Sequence, residues 1–257
     1  MEIFQYKVLF LFVILVIGTV AGLIPTRFTL TEKGKRQLVL GNAFSGGVFF
    51  GAGLLHMLPD ARENFHAYFG GIDYPVTALI CAAGFFLILL IEKVLLRGSE
   101  DVGALSGHNA LYPFILCLVL SVHSIIAGTS LGLESGFSAS LAIFFAIIAH
   151  KGAAAFALGV SLRDNGFTLG RHSAIVVFFS FMTPLGILLG TLFLVVLTSR
   201  MSMIFEAVFD ALAAGTFLYV AVLDIIDEVF RNPGDRWMKL LMITFGFALM
   251  AIVAIWV

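Results

Sequence analysis

Two histidines lie near the middle of consecutive long apolar segments of this chain. His123 and His150 fall in segments that a short turn ending at Gly136 joins. His123 precedes Gly136 by 13 residues and His150 follows it by 14. Two antiparallel helices rising about 1.5 Å per residue would hold both imidazoles about 20 Å from the turn. Because imidazole binds metals and carries protons near neutral pH, the matched depth predicts a metal-binding pair or a proton relay.

Each of these histidines is followed by a polar residue that changes the chemistry available to the pair. Ser124 offers a hydroxyl oxygen as a further ligand, whereas Lys151 places an ammonium group inside an apolar segment. A buried ammonium needs a partner or a changed protonation state, and Lys151 would fill space that a second cation would otherwise take. A single buried histidine is more often structural, but two at one depth favour function.

The second apolar segment ends in polar residues that we interpret as the entrance of an ion path. His56 and Asp60 are four residues apart and therefore lie one above the other on a helix face. Glu63 and His66 follow. A cation would meet His56, Asp60 and Glu63 before it reached the middle of the membrane. For Glu63 and His66, a polar helix end in contact with water is an equal alternative.

A second set of acidic residues closes two other apolar segments, and we interpret it as the exit path. The set is Glu92, Asp224, Asp227 and Glu228. Carboxylates at the C-terminal end of a helix oppose the helix dipole, so they do not serve helix stability. Lys93 and Arg231 are near enough to neutralise some of them, which leaves a solvated helix end as an alternative.

The composition predicts a polytopic membrane protein of all-α class. Of 257 residues, 60% are hydrophobic and 12% charged, and the mean hydropathy is +1.07. Eight segments are long enough to cross a bilayer of about 30 Å. They cover about 3–25, 38–58, 74–96, 112–133, 137–162, 173–198, 203–230 and 237–257. Cys81 and Cys117 lie inside such segments, which argues against a disulfide framework, and no basic stripe suggests a nucleic-acid partner.

The distribution of basic residues predicts which side of the membrane each loop faces. Loops after the odd-numbered spans hold eleven lysines and arginines, and the opposite side holds three. By the positive-inside rule, both termini lie outside the cytoplasm. We expect one eight-span domain over 1–257, with a flexible cytoplasmic loop at about 97–111. The remaining histidines, His108 and His172, are expected in loops with no role beyond solvation.

A weak internal repeat appears when the chain is shifted by 168 residues. Gly18 then falls on Gly186 and Gly22 on Gly190, and His56 meets Asp224. The shift lays span one on span six and span two on span seven. Since these spans run in opposite directions, it predicts an inverted repeat, spans 1–3 and 6–8, around a central hairpin of spans 4 and 5.

Four short motifs resemble the ZIP family of divalent metal transporters (zinc- and iron-regulated transporter-like proteins). The first is His123-Ser124 with Gly128 and Gly132, and the second is His150-Lys151 followed by 155–158. The others are His56-x-Leu58-Pro59-Asp60 and the segment 215–221. The resemblance covers nearly the whole chain and implies eight spans with both termini outside.

The chain departs from that family at two positions where many members have metal-binding glutamates. Ala127 stands four residues after the first histidine, and Ala154 stands in span five. A two-metal centre is therefore doubtful, and the expected ligands are His123, His150 and Ser124. Two imidazoles with oxygen donors suit Zn²⁺ better than Fe²⁺ or Mn²⁺.

These observations predict a carrier that moves Zn²⁺ or a related divalent ion into the cytoplasm by alternating access. We expect a multi-pass protein of the plasma membrane in contact with lipid, without a resident cofactor and without enzymatic activity, since no HExxH motif occurs. Whether it forms a homodimer stays open. One alternative is a transport-dead scaffold or metal sensor, and another is a proton-coupled carrier of a small solute.

Overall fold

The computed structural model describes residues 2–28, 31–70, 74–96, 112–193, 199–231 and 233–256. Within these residues the chain is helical and contains no strand. Eight of its helical stretches are long and apolar enough to cross a bilayer, which confirms the predicted all-α, eight-span architecture. The α-helices are α1 (Glu2–Arg27), α2 (Glu32–Ala52), α3 (Leu58–Phe69), α4 (Val76–Leu89), α5 (Tyr112–Leu133), α6 (Phe137–Asp164), α7 (Leu169–Phe193), α8 (Ser199–Tyr219), α9 (Asp227–Arg231) and α10 (Arg236–Val253).

Local side-chain contacts explain where two of these helices begin. The turn between α5 and α6 lies at 134–136, as predicted, and its Gly136 N–H donates to the Glu134 carboxylate over 2.6 Å. α2 begins after Thr31, whose hydroxyl accepts a hydrogen bond from the Gly34 N–H at 3.3 Å. Such a cap satisfies one of the free N–H groups of the first helical turn.

The second span is longer than the apolar pattern predicts. The expected end is near residue 58, but the helical stretch continues to Phe69. Pro59 lacks an N–H, and in a regular α-helix its ring would clash with a carbonyl four residues earlier. A π turn at Gly53–Met57, in which the Leu58 N–H donates to the Gly53 carbonyl, widens the helix at that point. The helix therefore continues through the proline and carries Asp60 on the same axis as His56.

Two further π turns interrupt the described helices. One follows α4 at Leu90–Leu96, and the other joins α8 to α9 at Val220–Ile226. The three turns contain His56, Glu92 and Asp224 respectively. The three π turns therefore fall at residues that the sequence assigns to an ion path. This agrees with the general finding that π turns inside α-helices are frequent at functional sites.

Four pairs of helices in the described part of the chain approach too closely for side chains at their contact points. The pairs are α1 with α6, α5 with α7, α2 with α10, and α4 with α8. The glycines concerned are Gly22 and Gly159, Gly128 and Gly186, Gly47 and Gly246, and Gly84 and Gly215. At Gly128, for example, a Cβ atom would overlap the carbonyl oxygen of Thr183. Backbone contact through small residues is a common way for helices to pack in lipid.

The pairing of spans is symmetric in the way that the predicted inverted repeat implies. In span numbers, 1 pairs with 5, 4 with 6, 2 with 8, and 3 with 7. Exchanging 1 with 6, 2 with 7, 3 with 8 and 4 with 5 converts this set of pairs into itself. The repeat makes Gly22 and Gly190 equivalent. Gly22 lies against Val176 of span 6 and against Gly159 of span 5, and Gly190 packs against span 4. The repeat itself stays a prediction, which this pairing favours.

One histidine expected in a solvated loop is instead buried, so that expectation is wrong. His172 lies in the first turn of α7 and is only 1% exposed. Its Nε2 atom is 2.9 Å from the carbonyl oxygen of Gly22 in α1, so the ring joins two packed helices. The predicted flexible loop at 97–111, with His108, lies outside the described residues.

Candidate metal centre

The structure brings the two midplane histidines into contact across α5 and α6. The Nε2 atoms of His123 and His150 are 3.4 Å apart, and their ring centroids are 5.4 Å apart. Both residues are buried, at 6% and 4% exposure. Phe217 of α8 packs edge-on against the His123 ring, with centroids 4.8 Å apart. Two nitrogens therefore face each other within an apolar surround.

The separation of these nitrogens fits a metal ion bound by both. Zn²⁺–N bonds of about 2.05 Å at the tetrahedral angle place two ligand nitrogens about 3.3 Å apart. The observed separation is 3.4 Å, which agrees within the usual tolerance on metal–ligand distances. Without a metal, one imidazole N–H would donate to the other ring. The pair can thus bind one cation or pass one proton.

Lys151 lies beside the pair and has three contacts of its own. Its ammonium donates to the Ser124 hydroxyl at 3.0 Å and to the Phe179 carbonyl at 3.1 Å. The Nζ atom also stands 3.6 Å from the centroid of the Phe179 ring, a cation–π geometry. Gly18 of α1 makes room for the lysine, since a Cβ there would lie 3.3 Å from Lys151 Cε. The Ser124 oxygen is thereby tied to the ammonium, which the ligand prediction did not foresee.

A cavity of about 220 Å³ extends from the predicted entrance residues to His123. We call it the His56 cavity. Its lining residues are His56, Met57, Asp60, Glu63, Asn64, His123, Ala127, Ser130, Ile143 and Asp210. The His56 Nδ1 atom is 2.8 Å from an Asp60 carboxylate oxygen, and the His56 ring centroid is 6.2 Å from that of His150. His150 therefore lies near both His56 and His123, the two histidines that line the cavity.

Two acidic residues of α8 belong to this region, and the sequence interpretation missed them. Asp210 lines the His56 cavity and lies within electrostatic range of His56 and Asp60. Glu206, one turn earlier, interacts with Asp210 and with the Ser130 side chain. Carboxylates four residues apart within an apolar span were a visible signal, since charged groups in membrane spans usually face the protein interior.

The predicted exit residues divide into a partly buried and an exposed group. Asp224 accepts a hydrogen bond from the Tyr112 hydroxyl at 3.0 Å and also interacts with Glu92. Lys93 forms an ion pair with Glu92. We call Glu92, Lys93, Tyr112 and Asp224 the Asp224 cluster. Two carboxylates in contact repel each other unless a cation or a proton lies between them.

The other two exit candidates lie away from that cluster's interior. Asp227 and Glu228 are exposed, and Asp227 forms an ion pair with Arg231 one turn further along α9.

At the midplane, Ala127 faces the His56 cavity and Ala154 is buried in the core. Among the residues that the structure describes, no three His, Cys, Asp or Glu side chains converge closely enough to hold one metal ion.

Eight spans around a buried histidine pair, with acidic groups on either side, are the features of a multi-pass membrane protein that handles cations. Comparison with known proteins identifies the family. The family model described as ZIP Zinc transporter matches residues 4–110 and 97–254. The chain therefore belongs to the ZIP zinc transporter family, which confirms the resemblance found in the sequence.

Individual relatives match the chain over almost its full length. It is 30% identical to "Zinc transporter ZIP1" of Danio rerio, and the alignment covers 96% of each protein. It is 28% identical to "Zinc transporter ZIP1" of Takifugu rubripes, again over 96% of each. It is 27% identical to "Zinc transporter ZIP2" of Homo sapiens, with the same coverage.

Proposed function

We propose that this protein carries Zn²⁺ across a membrane toward the cytoplasm and holds the ion between His123 and His150. The observation that carries the proposal is the 3.4 Å separation of their Nε2 atoms, which suits two bonds to one zinc ion. Neutral imidazole favours Zn²⁺ over the more oxygen-seeking Mn²⁺, with Fe²⁺ less favoured than zinc. The zinc transporters of fish and human that the chain resembles support the same cargo.

The proposed path begins in the His56 cavity and ends at the Asp224 cluster. His56, Asp60 and Glu63 collect the ion, and His123 lies where the cavity meets the histidine pair. Beyond the pair, Glu92 and Asp224 receive the ion, and Asp227 and Glu228 lead it to water. The cargo reaches each end in turn because one end opens while the other closes, as is common among carriers with inverted repeats.

The absence of a carboxylate at the pair is consistent with a transport site. Ala127 and Ala154 supply no negative charge, and the nearby ammonium of Lys151, which donates a hydrogen bond to Ser124, adds a positive charge. Binding at the pair is therefore weak, and weak binding permits release on the far side. The pair holds a single ion, since Lys151 fills the adjacent space.

The direction of transport rests on the distribution of basic residues. Eleven lysines and arginines in loops on one side, against three on the other, favour a topology with both termini outside the cytoplasm. The His56 cavity then faces the exterior. We assign the protein to the plasma membrane, where surface labelling of an introduced external cysteine tests both statements.

The decisive experiment measures zinc flux into liposomes that contain the purified protein. The variant combines His123→Ala with His150→Ala, and its flux should fall to that of empty liposomes because both nitrogen ligands are lost. His66→Ala is the matched control, since His66 is exposed on α3 and does not line the His56 cavity as described. Flux that persists in a monodisperse double variant would refute the central role of the pair.

A second candidate function is a transport-dead scaffold or metal sensor. It is favoured by the alanines at 127 and 154 and by the fact that no three suitable ligands converge among the described residues. The same liposomes separate the two functions, because a scaffold would give no flux above empty vesicles even with the wild-type chain. Competition with Fe²⁺ and Mn²⁺ in that assay ranks the possible cargoes.

A further inference from the structure

We infer that Lys151 is a positioning residue for the histidine pair. Its hydrogen bonds across the hairpin of α5 and α6 hold the two helices at the separation that lets His123 and His150 bind one metal ion. This inference rests on the proposed function and extends it, because it assigns the residue that sets the geometry of the ion site.

The first support is a pair of contacts between α5 and α6. Ser124 directly follows His123 on α5, and the imidazole of His123 lies 3.4 Å from that of His150 on α6. Lys151 directly follows His150, and its ammonium donates to the Ser124 hydroxyl over 3.0 Å. Neighbouring residues of a helix point about 100° apart, so the two contacts lie on different sides of the hairpin interface. One contact fixes a distance, and the second also prevents the helices from rotating against each other.

The second support is the link that Lys151 makes to a third helix. Its ammonium also donates to the Phe179 carbonyl of α7 over 3.1 Å, and its Nζ atom stands 3.6 Å from the centroid of the Phe179 ring. α7 packs closely on α5 through Gly128 and Gly186. Lys151 therefore ties α6 to both members of the closely packed pair α5 and α7.

The third support comes from the glycines of the hairpin. Gly128 and Gly132 of α5 lie against α7, whereas Gly152 and Gly159 of α6 lie against α1. Close packing at these glycines holds each helix against its outer neighbour, but it does not set the distance between α5 and α6. Contacts between side chains, such as that of Lys151 with Ser124, must set it.

The fourth support is the cost of placing a lysine at this position. The residue is only 2% exposed, and the partners that the structure describes, Ser124 and Phe179, are uncharged. A buried ammonium without a counter-ion is unfavourable. Gly18 of α1 leaves room for it, since a Cβ there would lie 3.3 Å from Lys151 Cε. An aliphatic side chain would fill the same space at lower cost, so the lysine contributes its hydrogen-bond donors.

The test compares Lys151→Gln with Lys151→Met in the purified protein. Both side chains are uncharged and of similar size, but only the glutamine amide can donate to Ser124 and to the Phe179 carbonyl. Loss of a residue that orients metal ligands typically weakens metal binding by about ten- to a hundredfold. The Kd for Zn²⁺ should therefore be higher by that factor in Lys151→Met than in Lys151→Gln. Equal Kd values in the two variants would overturn the inference.

A comparison of two ions separates positioning from a general structural defect. Cd²⁺ is larger than Zn²⁺, so a histidine pair held at a fixed spacing should discriminate against it more than a pair that can move apart. The ratio of the Kd for Cd²⁺ to the Kd for Zn²⁺ should fall in Lys151→Met and stay near the wild-type value in Lys151→Gln. An unchanged ratio in Lys151→Met would contradict positioning. Lys35→Met is the control, since Lys35 is exposed and paired with Glu32.

A double-mutant cycle tests whether Lys151 acts through Ser124. Ser124→Ala should raise the Kd for Zn²⁺ in the wild-type chain, but by less than about twofold in Lys151→Met, because the hydrogen bond is already absent there. Additive losses would show that the hydroxyl binds the metal independently and would overturn the inference. If Lys151→Met is not monodisperse, Ser124→Thr is compared with Ser124→Ala. Threonine keeps the hydroxyl, so equal losses in these two variants would overturn the inference as well.

The outcome stays separate from that of the proposed function. A wild-type chain without zinc flux would refute transport, but metal binding to the purified variants would still show whether Lys151 positions the pair. Conversely, wild-type flux with equal Kd values in Lys151→Gln and Lys151→Met would leave transport standing and remove Lys151 as a positioning residue.

Discussion

The His56 cavity and the Asp224 cluster are both acidic regions next to a π turn, yet they are built differently. The cavity is an open space of about 220 Å³ in which imidazoles and carboxylates face each other. The Asp224 cluster is closed by its own side chains, since Tyr112 donates to Asp224 at 3.0 Å and Lys93 pairs with Glu92. Similar residue types therefore form an open cavity in one region and a closed cluster in the other.

The difference shows which side of the histidine pair is accessible. His123 lines the His56 cavity, whereas Tyr112 covers Asp224 on the other side. On the path proposed above, an ion would reach His123 through the cavity, whereas release past Asp224 would require Tyr112 and Lys93 to move. On that path the structure corresponds to a loading state, and transport would require the cavity to close while the Asp224 cluster opens.

The largest effect on this comparison is expected from His56→Gln. Loss of the imidazole removes a ligand and the 2.8 Å contact with Asp60, so KM for zinc offered from the cavity side should rise about tenfold. KM for zinc offered from the Asp224 side should change little. Uptake by intact cells and by inside-out vesicles measures the two values, with His66→Gln as control. Equal changes on both sides would show that the cavity is not the loading region.

A smaller effect is expected from Lys151→Gln. The glutamine amide can still donate toward Ser124 and the Phe179 carbonyl, but the buried positive charge is gone. Zinc should bind several-fold more tightly, since like charges within one site oppose each other. Equilibrium binding to purified protein measures this, and slower turnover should accompany tighter binding. Weaker binding would indicate that the lysine serves to position Ser124 and that its charge does not oppose the ion.

The smallest effect is expected from Tyr112→Phe, which removes only the hydroxyl that covers Asp224. A hydrogen bond to a carboxylate contributes on the order of 1–2 kcal/mol, so the loading state should lose up to about tenfold in relative population. KM should rise modestly from the cavity side and fall from the Asp224 side. Tyr74→Phe, at a 60% exposed position, is the control. Identical shifts on both sides would contradict a covering role for Tyr112.

Much of the fold follows from hydrophobic segments of sufficient length, which is why the eight spans could be predicted. The histidine pair could also be predicted, because equal distances from one turn fix equal depth in antiparallel helices. The end of span two could not be predicted, because Pro59 predicts a helix break. In the structure the π turn at Gly53–Met57 accommodates the proline, and the helix continues. A π turn depends on tertiary packing and leaves no reliable pattern in one sequence.

The part of the site contributed by α8 was missed for a different reason. Glu206 and Asp210 lie inside an apolar span and were visible, but their distance in sequence from His56 hides that α8 packs beside α3. His172 shows the opposite error, because a polar residue near a predicted loop was assigned to solvent while α1 buries it. Sequence gives the depth of a residue in a membrane protein better than it gives the neighbouring helix.

The glycine contacts bear on how an ion held as proposed would be released. α5 packs closely on α7, and α6 packs closely on α1, through backbone contacts at glycines. The two pairs also touch, because α1 packs on α7, yet α5 and α6 contact each other less than each contacts its own glycine partner. Zinc–nitrogen distances vary by only about 0.2 Å, so a small shift of α5 against α6 would break one ligand bond. Retention of the ion would therefore depend on the distance between the two helices that carry His123 and His150.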